Sequence, residues 1–296
     1  MPGVNPRTPS PIPQLLADYR CVCGEIPLWH PDERRVYWSD IPAGRLFRYD
    51  PSTGGHEEAW KGEPIGGMTL QKDGSLLLLM DRCQVCSWKD GKLSAVVDKV
   101  PPGEEKARWN DAIADPEGRV YCGTLPSEGH KGSLYRLDPD GTYTRLVEGI
   151  GCSNGMGFTS DLRHMYHVDS TTRHVYLFDY QRGTGAITNQ RVFATLAESL
   201  GVPDGMTVDA KGFVWVAAWG GSCVIRFSPN GEEDQRTYFT SKLVSCPTFG
   251  GEDYRDLYVT TAGGENREVN GPGAGALFRV RPGVKGVPEF RSRIGV

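Results

Sequence analysis

Six times along this 296-residue chain a short polar turn is followed by a run of apolar residues. His30-Pro31-Asp32 precedes Arg35-Val36-Tyr37-Trp38, Lys72-Asp73-Gly74 precedes Leu76 to Met80, and Asp115-Pro116-Glu117-Gly118 precedes Val120-Tyr121-Cys122. Ser160-Asp161 before His164-Met165-Tyr166, Asp209-Ala210-Lys211-Gly212 before Phe213 to Ala217, and Glu252-Asp253 before Asp256 to Val259 complete the set. The markers Asp32, Asp73, Glu117, Asp161, Lys211 and Asp253 lie 41, 44, 44, 50 and 42 residues apart, the length of a four-stranded propeller blade. A further strand follows with its own turn, as in Gly44 to Asp50, Gly132 to Asp138 and Gly275 to Val280. The pattern predicts an all-β chain, a six-bladed β-propeller with about four antiparallel strands per blade. Residues 1–18 read as an N-terminal extension and 19–296 as a single domain. A closed ring has no long open edge, so Tyr19 to Cys23 is expected to share a blade with the C-terminal strands.

Composition agrees with many short strands: 38 Gly and 21 Pro suit tight turns rather than long helices. Asp138-Pro139-Asp140-Gly141 reads as a hairpin turn, because an EF-hand calcium loop needs its glycine at the sixth position. A net charge of −4 offers no general attraction to nucleic acid or acidic lipid. No stretch reaches the roughly 20 apolar residues that span a bilayer, and Met1 to Ala17 lacks the apolar core of a secretory signal, so a cytoplasmic protein is expected. The eight cysteines are expected to be free thiols. Cys83-x-x-Cys86 could be redox-active or join Cys21-x-Cys23 around zinc, but neither pair has the spacing of a known zinc module. A small buried hydrophobe is the commoner use.

Counting back seven residues from each marker gives Glu25, Gly66, Asn110, Asn154, Asp204 and Cys246. Each precedes the innermost strand of its blade, where the backbones converge on the axis. Glu25, Asn110, Asn154 and Asp204 are therefore expected to meet at one mouth of the channel. Taken singly, Asn154-Gly155 and Asp204-Gly205 are ordinary turn residues. Their recurrence at one structural position argues otherwise. Two carboxylates and two carboxamides in one small volume ask for a cation between them. Oxygen donors favour Ca2+, Mg2+ or Mn2+, with Zn2+ and Fe2+ left open. The six histidines show no metalloprotease spacing, there is no Gly-x-Ser-x-Gly elbow and no phosphate-binding glycine loop. His167 reads as a core or channel-wall residue.

Gly24-Glu25-Ile26-Pro27-Leu28-Trp29, Arg108-Trp109-Asn110-Asp111 with Gly123-Thr124, Ser153-Asn154-Gly155 leading to Tyr166 and Asp169-Ser170, and Pro203-Asp204-Gly205 leading to Trp215 occur in this order. Over about residues 19 to 282 the chain resembles the senescence marker protein family, which includes regucalcin, bacterial gluconolactonases and luciferin-regenerating enzyme. The resemblance implies a six-bladed propeller holding one divalent metal, Ca2+ first among the candidates, on Glu25, Asn154 and Asp204. It implies hydrolysis of a sugar lactone to its aldonic acid, with Arg108, Asn110 and Glu128 on the substrate hydroxyls. Asp204 is the expected catalytic base. Ile26, Trp109 and Leu125 depart from the family pattern, and Ile26 and Trp109 are expected to crowd the mouth. The expected partner is a small sugar lactone, without nucleic acid or membrane, on a monomer or weak homodimer. A metal-dependent esterase or phosphotriesterase, and a non-catalytic calcium-binding propeller, are the alternatives.

Overall fold

A computed structural model describes residues 11–296, and among these there is no α-helix. Twenty-four strands form six four-stranded antiparallel sheets. The inner strands are Gly24–His30, Ile65–Leu70, Trp109–Ala114, Ser153–Phe158, Gly201–Val208 and Val244–Gly250 in blades 1 to 6. The six-bladed propeller read from the repeat is the fold observed. No helix among the described residues is long and apolar enough to cross a membrane.

A propeller blade is covered on both faces, which explains why the second strands of blades 2 and 5 are apolar at successive rather than alternate positions. In blade 2, Leu76, Leu78 and Met80 pack toward blade 1, while Leu77 and Leu79 pack toward blade 3. In blade 5, Val214, Val216 and Ala218 face blade 4, and Trp215 and Ala217 face blade 6. Each interface between neighbouring blades thus has its own apolar cluster, six in all. Cys83 and Cys86 are buried in two of them, on opposite sides of blade 2. Outer strands such as His56–Lys61 carry the polar residues.

The ring closes in blade 6, where Gln14–Asp18 pairs with Ala276–Val280. The closing strand therefore lies just before Tyr19 to Cys23, inside the segment read as an extension; residues 1–10 of that segment lie outside the described residues. The last residues are used in a way the repeat did not foretell. They strap the face opposite the site: Ala210 N–H donates to Lys285 O at 2.8 Å, Lys72 N–H to Ser292 O at 2.9 Å, and Arg293 N–H to Gly118 O at 2.9 Å. Arg291 adds an ion pair to Asp32 in blade 1 at 2.7 Å. One segment thereby ties blades 5, 1, 2 and 3.

Some turn carboxylates do more than turn the chain. Asp209 is fully buried and accepts from Lys211 and Phe213 N–H, from Trp215 Nε1, and from Arg226 Nη2 at 2.6 Å. Arg226 is itself buried over the Phe213 ring, 3.6 Å from its centroid. Arg226 Nη1 also pairs with the partly exposed Asp234 at 2.6 Å, so removing Asp209 leaves the buried guanidinium only partly compensated, at a cost toward the lower end of the roughly 3–5 kcal/mol of a broken buried pair. Asp209→Ala is expected to lose that much in urea unfolding, with the circular dichroism of the folded state retained; a loss under about 1 kcal/mol would contradict the role given to the pair.

Candidate active site at the mouth of the channel

The ladder of every inner strand breaks at the same place. Register shifts fall at Glu25/Leu28, Ile65/Gly67, Asn110/Ala112, Asn154/Met156, Pro203/Met206 and Val244/Cys246. A bulge bends the strand and re-aims a side chain, and six of them surround one axis. The backbone is unusual there: Ile26 and Asp111 have φ of 48° and 57°, a region that a β-branched residue rarely adopts. Close approach of neighbouring strands dictates the glycines. A Cβ on Gly205 would lie 2.2 Å from Cys246 Sγ, and one on Gly66 would lie 1.8 Å from Trp109 O and 2.4 Å from Arg108 Nη1. Blade 2 therefore contributes no donor, and the space it leaves is filled by Arg108.

The bulges open onto a cavity of about 230 Å3 lined by three residues from each of four blades. The repeat explains the selection. The first set is the donor layer, Glu25, Asn110, Asn154 and Asp204. The second lies two residues earlier in sequence, just before the inner strand in three blades and within it in blade 5: Cys23, Arg108, Cys152 and Val202. The third lies at the end of the second strand of each blade: Ile41, Leu125 and Ser170 directly after it, and Trp219 as its penultimate residue. All four donors are nearly buried, with 5 to 8 % of their surface exposed.

A directional chain of hydrogen bonds sets the two amides. Arg108 can only donate, and its Nη2 donates to Asn110 Oδ1 at 3.0 Å. Asn110 Nδ2 therefore faces Asn154 and donates to its Oδ1 at 2.8 Å and to Ser153 O at 2.6 Å. Asn154 Nδ2 donates to Ser170 Oγ at 2.8 Å, and the Ser170 hydroxyl donates onward to Pro203 O at 2.6 Å, next to Asp204. Behind this layer, His167 Nε2 lies 2.8 Å from Ser153 Oγ, and burial lowers the imidazole to about 4, so it is neutral and structural.

Glu25 and Asp204 are hydrogen-bonded to each other side chain to side chain. Burial first, then the charge of Asp111, pushes the Glu25 carboxyl up to about 8. Burial, Glu25 and Asp111 push Asp204 well above the usual carboxylate range. Without a cation the pair holds a proton. Arg108 is the neighbouring cation, and its charge favours ionised Glu25, but burial lowers the guanidinium too. Two more acids stand further along the channel: burial raises Asp111 to about 6, and burial with the charge of Asp111 raises Glu289 to about 7. Glu289 belongs to the C-terminal strap. Two carboxylates and the Asn154 amide oxygen, short of positive charge, are donors of the kind that suit a hard divalent cation. Among the described residues no three His, Cys, Asp or Glu side chains are grouped as a metal site, so any such site must use the carboxamides.

Of the residues singled out in the sequence, Glu25, Arg108, Asn110, Asn154 and Asp204 come together here. Glu128 does not. It is exposed on the loop after Leu125, paired with Lys106 at 3.2 Å, and absent from the cavity wall. The expectation that Ile26 and Trp109 crowd the mouth is corrected as well. Trp109 is fully buried and stacks on Tyr143, while Ile26 lines the far part of the channel; of the three departures only Leu125 faces the cavity. Cys23, Cys152 and Val202 were missed, although the same repeat arithmetic, two residues before each donor, would have found them. Glu289 has no repeat partner, and nothing in its neighbourhood of sequence marks it.

The SMP-30/Gluconolactonase/LRE-like region family model matches residues 23–263. The chain belongs to this family. Pentonolactonase XacC of Haloferax volcanii is 45% identical over 289 residues, covering 94% of this chain and 97% of the relative. Regucalcin of Homo sapiens is 32% identical, over 91% and 94% of the two chains. Among solved structures, a luciferin-regenerating enzyme superposes with a TM-score of 0.87 at 28% identity, covering 96% of this chain and all of that one.

The raised carboxyls give the cation-free protein a testable pH dependence. Between about 4.5, the ordinary value for Glu, and about 8 for folded Glu25, the native state binds more protons than the unfolded chain. Stability is therefore lost as pH rises through this window, the reverse of a salt-bridged carboxylate. In EDTA the melting temperature is expected to be lower at pH 8.5 than at pH 6 in scanning calorimetry; an unchanged or higher value would contradict the protonated pair.

Proposed function

We propose that this protein opens a sugar lactone to the corresponding aldonic acid, using one divalent cation held by Glu25, Asn154 and Asp204. The observation that carries this reading is the joining of those three donors with Arg108 and Asn110 in one cavity. A simple ion buffer has no need of a guanidinium beside its ligands. The kinship with a pentonolactonase supports the substrate class.

A divalent cation bound here would polarise the lactone carbonyl oxygen and stabilise the charge that develops on it. The chain's own residues supply the rest. Arg108 retains N–H donors beyond the two spent on Trp109 O and Asn110 Oδ1, and these can hold substrate hydroxyls. The relay through Asn110 to Ser170 keeps the Asn154 amide oxygen from flipping away. Asp204 takes the proton of the attacking water once the shared proton has left the Glu25–Asp204 pair. Water oxygen bonds to the carbonyl carbon, the ring C–O bond breaks, and the departing ring oxygen is protonated to become the new hydroxyl. Arg108 immediately precedes a bulged inner strand, and its guanidinium is fixed by its bonds to Trp109 O and Asn110 Oδ1 while its own carbonyl accepts from Leu125 N–H at 3.0 Å.

Two outcomes check this. Stripping divalent ions with a chelator is expected to abolish proton release from a panel of aldonolactones, and adding back Ca2+, Mn2+ or Zn2+ to restore it. Asp204→Asn is expected to lower kcat by about 100- to 10,000-fold, the usual contribution of a general base, while keeping the melting transition. Full turnover in Asp204→Asn, or in the chelated protein, would overturn the reading.

A further inference from the structure

On the face opposite the donor layer, the far part of the channel adjoins a larger cavity. Ile113, Met156, Glu289 and Phe290 line both spaces. The larger one measures about 340 Å3, within the range of about 300–1,000 Å3 that small-molecule pockets occupy. Its wall comes mainly from the inner strands of blades 4 and 5, the turn of blade 4 and the C-terminal strap. Much of it is apolar, with Phe158, Leu162, Val208, Val287 and Pro288 among its residues. Phe158 and Phe290 meet edge to face, 6.3 Å between ring centroids. Among the described residues no Lys, Arg or His lines either space. Three carboxyl groups open onto them, and two lack a positive partner. Asp209 is spent on Trp215 and Arg226. Asp111 accepts one bond, from the adjacent Ala112 N–H at 2.9 Å, and Glu289 has no hydrogen bond or ion pair with any described residue. Burial and the charge of Asp111 raise the Glu289 carboxyl to about 7, so ionising it here is costly without a cation.

The chemistry of the wall narrows what such a cation can be. A hard metal ion asks for about six to eight oxygens. Beyond Glu289 and the engaged Asp209, the side-chain oxygens of the larger cavity are the hydroxyls of Thr159, Ser160 and Thr207, and Thr159 is already bonded to Asp161 and His164 O. A neutral apolar molecule would fill the volume and leave the carboxyl without a counter-charge. A primary ammonium on a short apolar body answers both demands. Its head sits where the two spaces adjoin, drawn by Glu289 and Asp111, and gains further from the faces of nearby aromatic rings. We propose that this cavity is a second ligand site, for an amphipathic primary amine whose ammonium pairs with Glu289 and whose body packs on Phe158, Val208 and Val287. Its wall shares no residue with the mouth cavity, so the proposal stands whether or not the protein opens lactones.

The probe is 2-phenylethylamine, protonated at neutral pH and titrated by calorimetry into the protein in excess Ca2+, which competes for the carboxylates at the mouth. 2-Phenylethanol carries the same body without the charge, and 3-phenylpropanoate carries the opposite charge. One saturable site is expected for the amine, with the alcohol and the acid at least about 10-fold weaker, as befits a hydrogen bond to a charged group. Glu289→Gln, nearly isosteric, is expected to weaken the amine by about 10- to 100-fold and to leave the alcohol unchanged. Val287 is 41 % exposed, so Val287→Lys places a long side chain on the strap without disturbing the core, and its tethered ammonium competes for Glu289. The amine is expected to weaken about 10-fold or more in that variant too, which keeps the test open should Glu289→Gln fold poorly. Absence of saturable binding, equal affinity for the alcohol, or an amine affinity unchanged in either folded variant would overturn the proposal.

Discussion

Two carboxyl groups held against each other in a nearly dry place must either keep a proton or gain a cation, and the region around the propeller axis is organised by that choice. Glu25 and Asp204 belong to blades that are not neighbours, yet they share a hydrogen bond, with Asp111 and Glu289 adding negative potential from the far part of the channel. Arg108, bonded to Trp109 O and Asn110 Oδ1, brings a single positive charge and so does not neutralise all four acids. The Asn154 amide, turned by Asn110 and Ser170, completes a set of oxygens that a hard cation satisfies and a proton satisfies only in part.

Such an arrangement opposes folding unless the scaffold is stable enough to impose it. Six apolar clusters between blades, buried ion pairs such as Asp209 with Arg226, and the C-terminal strap supply that stability away from the site. The bulges transmit it inward. Each is a local defect in pairing, with a left-handed residue at Ile26 and Asp111, tolerated because the strands on either side are fully covered. Rigid placement of an unfavourable charge cluster would let a bound ion, rather than a mobile loop, set the geometry presented to a substrate.

Much of this was legible in the order of residues, because a propeller writes its symmetry into the chain. The recurring polar turn gave blade number and length, and counting back from it named Glu25, Asn110, Asn154 and Asp204 together. What stayed hidden depended on contacts that break the repeat. The closing strand lies at Gln14–Asp18 and not at Tyr19, since pairing register is decided by the partner strand and not by the segment itself. Trp109 looked like an obstacle at the mouth, but alternation along a strand sends its side chain to the opposite face from Asn110, into the cluster with Tyr143. Glu128 follows a motif in sequence, while its loop carries it outward to Lys106. Glu289 comes from the strap, which has no counterpart in any blade.

The central claim is that these separated oxygens enclose one ion. Anomalous diffraction from crystals soaked in Mn2+ tests it directly. The account predicts a strong peak on the propeller axis within about 2.0–2.6 Å of carboxylate oxygens from Glu25 and Asp204 and of Asn154 Oδ1, the range of metal–oxygen bonds for hard cations. A channel mouth without such a peak in active crystals, or an ion bound by other residues, would contradict it.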